Sequence, residues 1–384
     1  MHYATLIKNN KDWIDRVWRK LDEKLSRVAV KSRNKIPYTT INGVHDDRSQ
    51  GEGILMWTNG FWGGLMWQMY IGTKKDCYKQ TAEESEKMLD GAFHYTKSLH
   101  HDVGFMWHLT SGVNYRLTGN VASKNRNLLA AMSLMSRYNV DGEFIRCWND
   151  DAWNGENVAG WTIIDCMMNI PLLYWASKEI GDARFAKIAM RHADMSMHDH
   201  VRADGSVNHI VVHDTEKANV VLDVKKGQGY AENSCWSRGS GWALYGFVLS
   251  YIHTKKKEYL ETAKKVAEHF IRETEKTNWL PRVDFCQPEE PIYYDSTAGA
   301  IAACGLIELA KIVEETESEK FLSAALNILR AMEKNWCDWT DEEDSILQMG
   351  SLMYGKDNHM PIIYGDYFFA EAILKLKGTD FLAW

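Results

Sequence analysis

Apolar residues recur at three- and four-residue intervals along the whole chain, and this period constrains the fold more than any other feature. Trp13, Val17, Trp18, Leu21 and Leu25 form one such stripe, and Ala263, Val266, Ala267, Phe270 and Ile271 form another. Residues at that spacing share one face of an α-helix, and the face must be buried against other helices. Strand-like alternation is rare. The pattern predicts helices over 8–31, 60–73, 78–97, 103–118, 122–138, 161–179, 183–199, 239–254, 257–275, 295–314, 318–335 and 365–376. Twelve helices in succession read as six antiparallel hairpins.

The connectors have an order of their own. Short links such as Gly181-Asp182 alternate with long polar segments at 32–58, 139–160, 200–238, 276–294 and 336–364. In a ring of hairpins every second connector lies on the same rim, so the long segments gather over one mouth, where a site is expected. The expected fold is therefore all-α: an (α/α)6 barrel of six helical hairpins with long loops over one mouth. No Pro-, Gly- or Ser-rich linker divides the chain, so residues 1–384 are expected to form a single domain. Within 200–214, Asp204-Gly205 marks a turn beside a short alternating run, which predicts a small hairpin.

Charge and cysteine usage narrow the function classes. A net charge of −7 with both signs interspersed excludes a nucleic-acid partner, because phosphate binding needs clustered Lys and Arg. The N-terminus lacks the apolar run and cleavage site of a secretory signal, and no stretch is apolar for long enough to span a membrane, so a cytoplasmic location and no membrane partner are expected. The 7 cysteines are odd in number and scattered, with no C-x-x-C pair, which indicates neither a disulfide framework nor a zinc knuckle. His94, His101 and His108 are spaced by seven, whereas a helical pair of metal ligands is spaced by four, so no metal or other cofactor is expected. No motif speaks to oligomeric state.

Two carboxylates stand out. Asp102, in His100-His101-Asp102-Val103-Gly104-Phe105, opens a helix where an aspartate commonly serves as a cap. Asp165, in Gly160-Trp161-Thr162-Ile163-Ile164-Asp165-Cys166-Met167-Met168-Asn169, lies on a strongly apolar helix. A carboxyl group buried there must be paired, protonated or used, and a raised pKa suits general acid catalysis near neutrality. Tryptophan is abundant, 16 in all, with Trp57, Trp62, Trp67, Trp148, Trp153, Trp161, Trp236 and Trp242 near Gly, Asn and Asp. Single tryptophans mostly fill cores, but this concentration fits a saccharide pocket whose flat faces stack on sugar rings. Gly227-Gln228-Gly229 and Trp236-Ser237-Arg238-Gly239 lead into a helix without the strand that a dinucleotide fingerprint requires, and Arg238 could hold an anionic group there. Paired carboxylates in an aromatic pocket point to sugar cleavage.

Taken together, these residues resemble glycoside hydrolase family 88, the unsaturated glucuronyl hydrolases. The carriers are Trp57-Thr58-Asn59-Gly60-Phe61-Trp62, His101-Asp102-Val103-Gly104-Phe105, Ile164 to Asn169, Asp204 to His209, Gln228-Gly229-Tyr230, Trp236 to Gly239 with Trp242, Asp295-Ser296, and Tyr364-Gly365-Asp366-Tyr367. The resemblance implies an (α/α)6 barrel and release of a 4,5-unsaturated uronic acid from the non-reducing end of lyase-generated, glycosaminoglycan-type oligosaccharides, by hydration of the enol-ether double bond. It implies that Asp165 is the acid/base and that Asp102 holds ring hydroxyls and tunes Asp165. The implied substrate-binding set is Trp57, Trp62, His101, Trp148, His209, Gln228, Arg238, Trp242, Ser351, Lys356 and Tyr364, with Arg238 the partner of the substrate carboxylate.

The chain departs from the family pattern twice. Asn59 stands where relatives often carry aspartate, and Ser351-Leu352-Met353-Tyr354-Gly355-Lys356 keeps the outer Ser and Lys of a Ser-x-x-Ser-x-Lys sulfate element but has Tyr354 in the middle. Three other readings compete. Unsaturated rhamnogalacturonyl hydrolases use a similar barrel with one aspartate. Sugar 2-epimerases need a histidine pair, and His209 and His213 lie too close together for that role. A non-catalytic carbohydrate-binding barrel leaves an aspartate in an apolar segment without a use.

Overall fold

The computed structural model describes residues 3–149 and 155–384, so Trp153 lies outside the described residues. The helices sort by how much of their surface is apolar. α2 (Gly60–Thr73), α10 (Ser296–Ile312) and α12 (Ile363–Leu376) are buried almost all round, whereas α9 (Lys257–Glu275) buries a single stripe from Tyr259 through Ala263, Val266, Ala267 and Phe270. The first kind fits only an inner ring and the second an outer one. The inner ring is α2, the segment 104–118 ending in α4 (Val113–Thr118), α6 (Pro171–Ile180), α8 (Ser237–Thr254), α10 and α12. Outside it lie α1 (Tyr3–Lys31), α3 (Asp76–Leu89), α5 (Val121–Ser136), α7 (Ala183–Asp199), α9 and α11 (Glu315–Trp336). This is an (α/α)6 barrel, with a main core that runs from Trp13 to Trp384 and a small second cluster of Cys147, Val158, Trp161, Ile163 and Ile210. Among the described residues no helix is long and apolar enough to cross a membrane.

The periodicity reading places α2, α7 and α9 correctly to the residue. It fails over 161–179. After two short ribbons, β1 (Thr40–Ile41) with β2 (Val44–His45) and β3 (Tyr138–Asn139) with β4 (Phe144–Ile145), Trp161–Ile163 forms a strand, β5, a tight turn follows at Ile164–Met168, and α6 begins only at Pro171. Thr162 and Ile163 are β-branched and pair with Val211 and Ile210 of β6 (Ile210–His213), which in turn pairs with β7 (Val221–Lys225). Proline lacks the N–H that a helix interior needs, so it serves as a first residue. Asp165 therefore sits on a turn at the edge of a three-stranded sheet and not on a helix face, and the barrel carries this small sheet as an addition to its helices. The Asp204-Gly205 turn is closed by a bridge between Val201 and Val207, and the alternating run beyond it becomes β6. The helix expected over 103–118 is π-helical across Gly104–Gly112.

Buried aspartates tie the long loops down over the mouth. Asp284 accepts the N–H groups of Tyr230, Cys235 and Cys286, and Asp366 accepts those of Ile346 and Leu347 with the Ser345 hydroxyl. Asp295 caps α10 through Thr297 N–H and also accepts Ser351 N–H at 3.3 Å. A carboxylate takes several donors at once, which lets irregular backbone be buried without orphaned amides.

Candidate active site

A cavity of about 160 Å³ opens at the loop-covered mouth, walled by Trp57, His101, Asp102, Trp148, Asp165, His209 and Gln228 together with His100, Ile163, Gly227 and Met353. One water needs roughly 10–15 Å³, so there is room beside the carboxylates for water and a small ring. Both aspartates face this space.

Their electrostatic states differ. The Asp165 side chain is only 14% exposed, and its Oδ1 has no hydrogen-bond partner. Burial pushes its pKa up to about 8, the nearby Asp102 charge adds to the rise, and Arg238 opposes it. Asp165 is thus mainly a neutral acid at pH 7. Burial also disfavours the charge on Asp102, but the field of His101, the approach of His100 and a hydrogen bond from Asn169 outweigh it and hold this carboxyl below its ordinary range. His100 Nδ1 lies 3.1 Å and His101 Nε2 3.4 Å from Asp102 Oδ2.

Asp102 does not cap its helix. Asn169 Oδ1 accepts the Phe105 N–H at 2.8 Å, leaving the Asp102 carboxylate free to face the cavity. His209 is fixed by its other side. Its Nδ1 accepts the Gln228 N–H at 3.0 Å, so the neutral ring carries its proton on Nε2, 3.7 Å from Asp165 Oδ1. Burial, with the Arg238 charge adding to it, lowers the His209 pKa to about 3, so the ring stays neutral across the working range. Gly227 makes this contact possible: its φ is +55°, and a Cβ there would fall 2.1 Å from His209 Nδ1.

Six of the expected substrate-binding residues are not on the cavity wall. Trp62 is fully buried and meets the His45 ring edge-on at 5.2 Å, away from the cavity. Trp242 and Tyr364 are also fully buried and form the layer beneath Trp57, with Tyr364 at 5.2 Å from Trp57 and Trp242 at 5.2 Å from Phe105. Arg238 is 1% exposed, and its guanidinium is committed elsewhere: to Asp295 at 2.7 Å, to Thr297 Oγ1, and to the carbonyls of Ser351 and Leu352. The reason is Asp295, which is fully buried and requires a counter-charge. Arg238→Ala would strand that carboxylate and is expected to cost about 3–5 kcal/mol of stability by urea unfolding; a loss below about 1 kcal/mol would show that another group neutralises Asp295. Ser351 is buried, with its hydroxyl donating to Tyr294 O and accepting from His359 N–H. Lys356 is exposed on a turn whose N–H returns to Met353 O at 3.2 Å, so it shares that turn with a wall residue without lining the wall itself.

Asn59 is buried too, and its amide donates to Gly53 O and Ile54 O, a role in holding the turn before α2. Sequence reasoning missed His100, Ile163, Gly227 and Met353 as wall residues, and it gave Asn169 no role. The signal for Gly227 lay beside Gln228 and that for His100 beside His101; nothing in the sequence marks Met353 or Asn169.

No family model matches the sequence. The chain is 33% identical over 330 residues to the unsaturated glucuronyl hydrolase of Bacillus sp. (strain GL1), covering 84% of this chain and 86% of that protein. It is 30% identical over 384 residues to the unsaturated chondroitin disaccharide hydrolase of Streptococcus pneumoniae, covering 97% and 92%. Its fold matches the crystal structure of the Bacillus sp. GL1 unsaturated glucuronyl hydrolase, responsible for degradation of glycosaminoglycan, with a TM-score of 0.85 over 94% of this chain and 97% of that one, at 30% identity. Likeness of sequence and fold that runs nearly the length of both partners leaves one assignment: the chain belongs to the unsaturated glucuronyl hydrolase family.

Proposed function

We propose that this protein, acting as one catalytic unit over residues 1–384, removes 4,5-unsaturated uronic acid from the non-reducing end of glycosaminoglycan-type oligosaccharides by hydrating the enol-ether double bond. The observation that carries this reading is the neutral carboxyl of Asp165, with one oxygen unpartnered beside a cavity roomy enough for water. An enol ether is weakly basic at carbon, so its hydration needs a general acid that still holds its proton near neutral pH and is placed against C4. Asp165 delivers that proton, and positive charge develops at C5, shared with the ring oxygen. Water adds at C5 and returns a proton to the Asp165 carboxylate, which regenerates the acid. The resulting hemiketal opens and releases the remaining sugar.

The other wall residues divide the remaining work. Asp102, ionised and close by, accepts ring hydroxyls and stabilises the cationic transition state. Trp57 and Trp148 offer flat apolar faces to the ring, while the His209 Nε2–H and the Gln228 amide are neutral polar partners for its oxygens. The described wall holds no lysine or arginine, so the substrate's own carboxylate adds negative charge near Asp165 and strengthens its hold on the proton.

The test is loss of alkene ultraviolet absorbance from matched sulfated and unsulfated unsaturated disaccharides, with wild type and Lys356→Ala side by side. Wild type is expected to consume them; no loss with chondroitin, hyaluronan or heparin-type disaccharides would reject the function. Lys356→Ala is expected to slow sulfated substrates by about 5–10-fold, the size of one solvent-facing charge-assisted contact, and to leave unsulfated ones unchanged. An equal effect on both would reject a sulfate contact at Lys356.

A further inference from the structure

One buried side chain touches both catalytic elements without reaching the cavity. Asn169 is fully buried and absent from the wall. Its Nδ2 donates to Asp102 Oδ1 at 3.1 Å and reaches the Asp165 carbonyl at 3.4 Å, while its Oδ1 accepts the Phe105 N–H at 2.8 Å. The three bonds come from one amide. They join the backbone after Asp102, the Asp102 carboxylate, and the turn Ile164–Met168 that carries Asp165.

The packing around this amide is equally specific. A Cβ on Gly104 would lie 2.6 Å from Asn169 Oδ1, 2.7 Å from its Cα and 2.8 Å from its carbonyl oxygen, so only glycine lets the two segments approach this closely. Asp102 therefore receives a neutral donor on Oδ1 from below, and the two histidines meet Oδ2 from the side. An ordinary cap would need only the acceptor half of the amide. The donor half does more than a cap requires: it meets Asp102 Oδ1, the carboxylate oxygen that neither histidine faces.

We propose that Asn169 is a positioning residue of the hydration reaction: its carboxamide ties the Asp102 carboxylate to the turn bearing Asp165, so that the two carboxyl groups keep one fixed relation through proton transfer. The proposal rests on the function proposed above. Asn169 touches no substrate and acts through Asp102. Removing its donor would let the Asp102 carboxylate swing and would weaken its ionised form, since a hydrogen bond to a buried carboxylate favours the charge.

The experiment compares Asn169→Ala with Asn169→Asp. The first removes cap and donor together. The second keeps an oxygen for the Phe105 N–H but gives Asp102 no amide donor. Asn169→Ala is expected to lower kcat about tenfold or more with KM changed less than about threefold, the signature of lost geometry at the reacting groups. Its acid limb in kcat/KM is expected to move to higher pH, because Asp102 takes up its proton more readily. Asn169→Asp is expected to lower the rate at least as far, because it sets a second carboxyl oxygen against Asp102 Oδ1, where the amide donor stood at 3.1 Å. A rate in Asn169→Asp within twofold of wild type, or an acid limb that stays in place in Asn169→Ala, would overturn the proposal and leave Asn169 a helix cap. If wild type itself consumes no unsaturated disaccharide, the proposed function fails separately. Carboxyl-carbon NMR of Asp102 in wild type and Asn169→Ala then still reads the tie: an upward pKa shift supports it, and an unchanged titration overturns it.

Discussion

Asp165→Asn is expected to lower kcat by about 10³–10⁴-fold while leaving disaccharide affinity within about threefold of wild type, since general acid–base catalysis contributes on that scale and the amide is nearly the same shape. The asymmetry follows from the site. Asp165 Oδ1 makes no hydrogen bond within the protein, so replacing it breaks none and disturbs little of the wall. What disappears is the transferable proton. A carboxamide neither protonates C4 nor accepts a proton from the adding water, so both halves of the reaction lose their carrier. Single-turnover assays beside equilibrium binding would separate the effects. Turnover above about one tenth of wild type would reject Asp165 as the acid/base.

For Asp102→Asn the informative result is a direction as well as a loss. The rate is expected to fall by about 10²-fold, as when one electrostatic contact to a developing charge is removed. At the same time the basic limb of kcat/KM should move to lower pH. Asp165 must hold its proton to donate it, so activity in the wild type declines as pH rises through about 8. The Asp102 charge is one of the two causes that raise this value, so neutralising it lowers the Asp165 pKa and the decline begins earlier. Burial, the larger cause, remains, which keeps the shifted limb above the ordinary carboxylate range. A basic limb that stays in place would mean that Asp102 positions substrate without tuning Asp165.

The sequence made the barrel legible because helices that bury one stripe, such as α9, and helices buried all round, such as α10, leave different apolar patterns. The turn at Asp165 was not legible. Ile163-Ile164 and Met167-Met168 satisfy a helical period as well as a buried strand and turn, and only pairing with β6, some fifty residues away, selects the latter. Both aspartates that the sequence set apart, Asp102 at a helix start and Asp165 among apolar residues, face one cavity. Arg238, Trp62, Trp242, Ser351 and Tyr364 have residue types that suit sugar binding, yet sequence cannot say whether a guanidinium meets a ligand or a buried aspartate. Asp295 decided that for Arg238. The role of Asn169 depends on three partners from two segments, a relation no local pattern encodes.

The loop that brings Met353 to the cavity is moored by its main chain. Arg238 grips the carbonyls of Ser351 and Leu352, and Gln228 holds the Leu352 carbonyl through its side chain and Tyr354 N–H through its backbone. None of these attachments reads the side chains at Met353, Tyr354 or Lys356. Tyr354 also packs its ring on Tyr230 and Tyr293, but Met353 and Lys356 are free to diverge while Asp102, Asp165 and their supports stay unchanged, so selection or a mutant library could retune which saccharide the rim favours without rebuilding what lies beneath it.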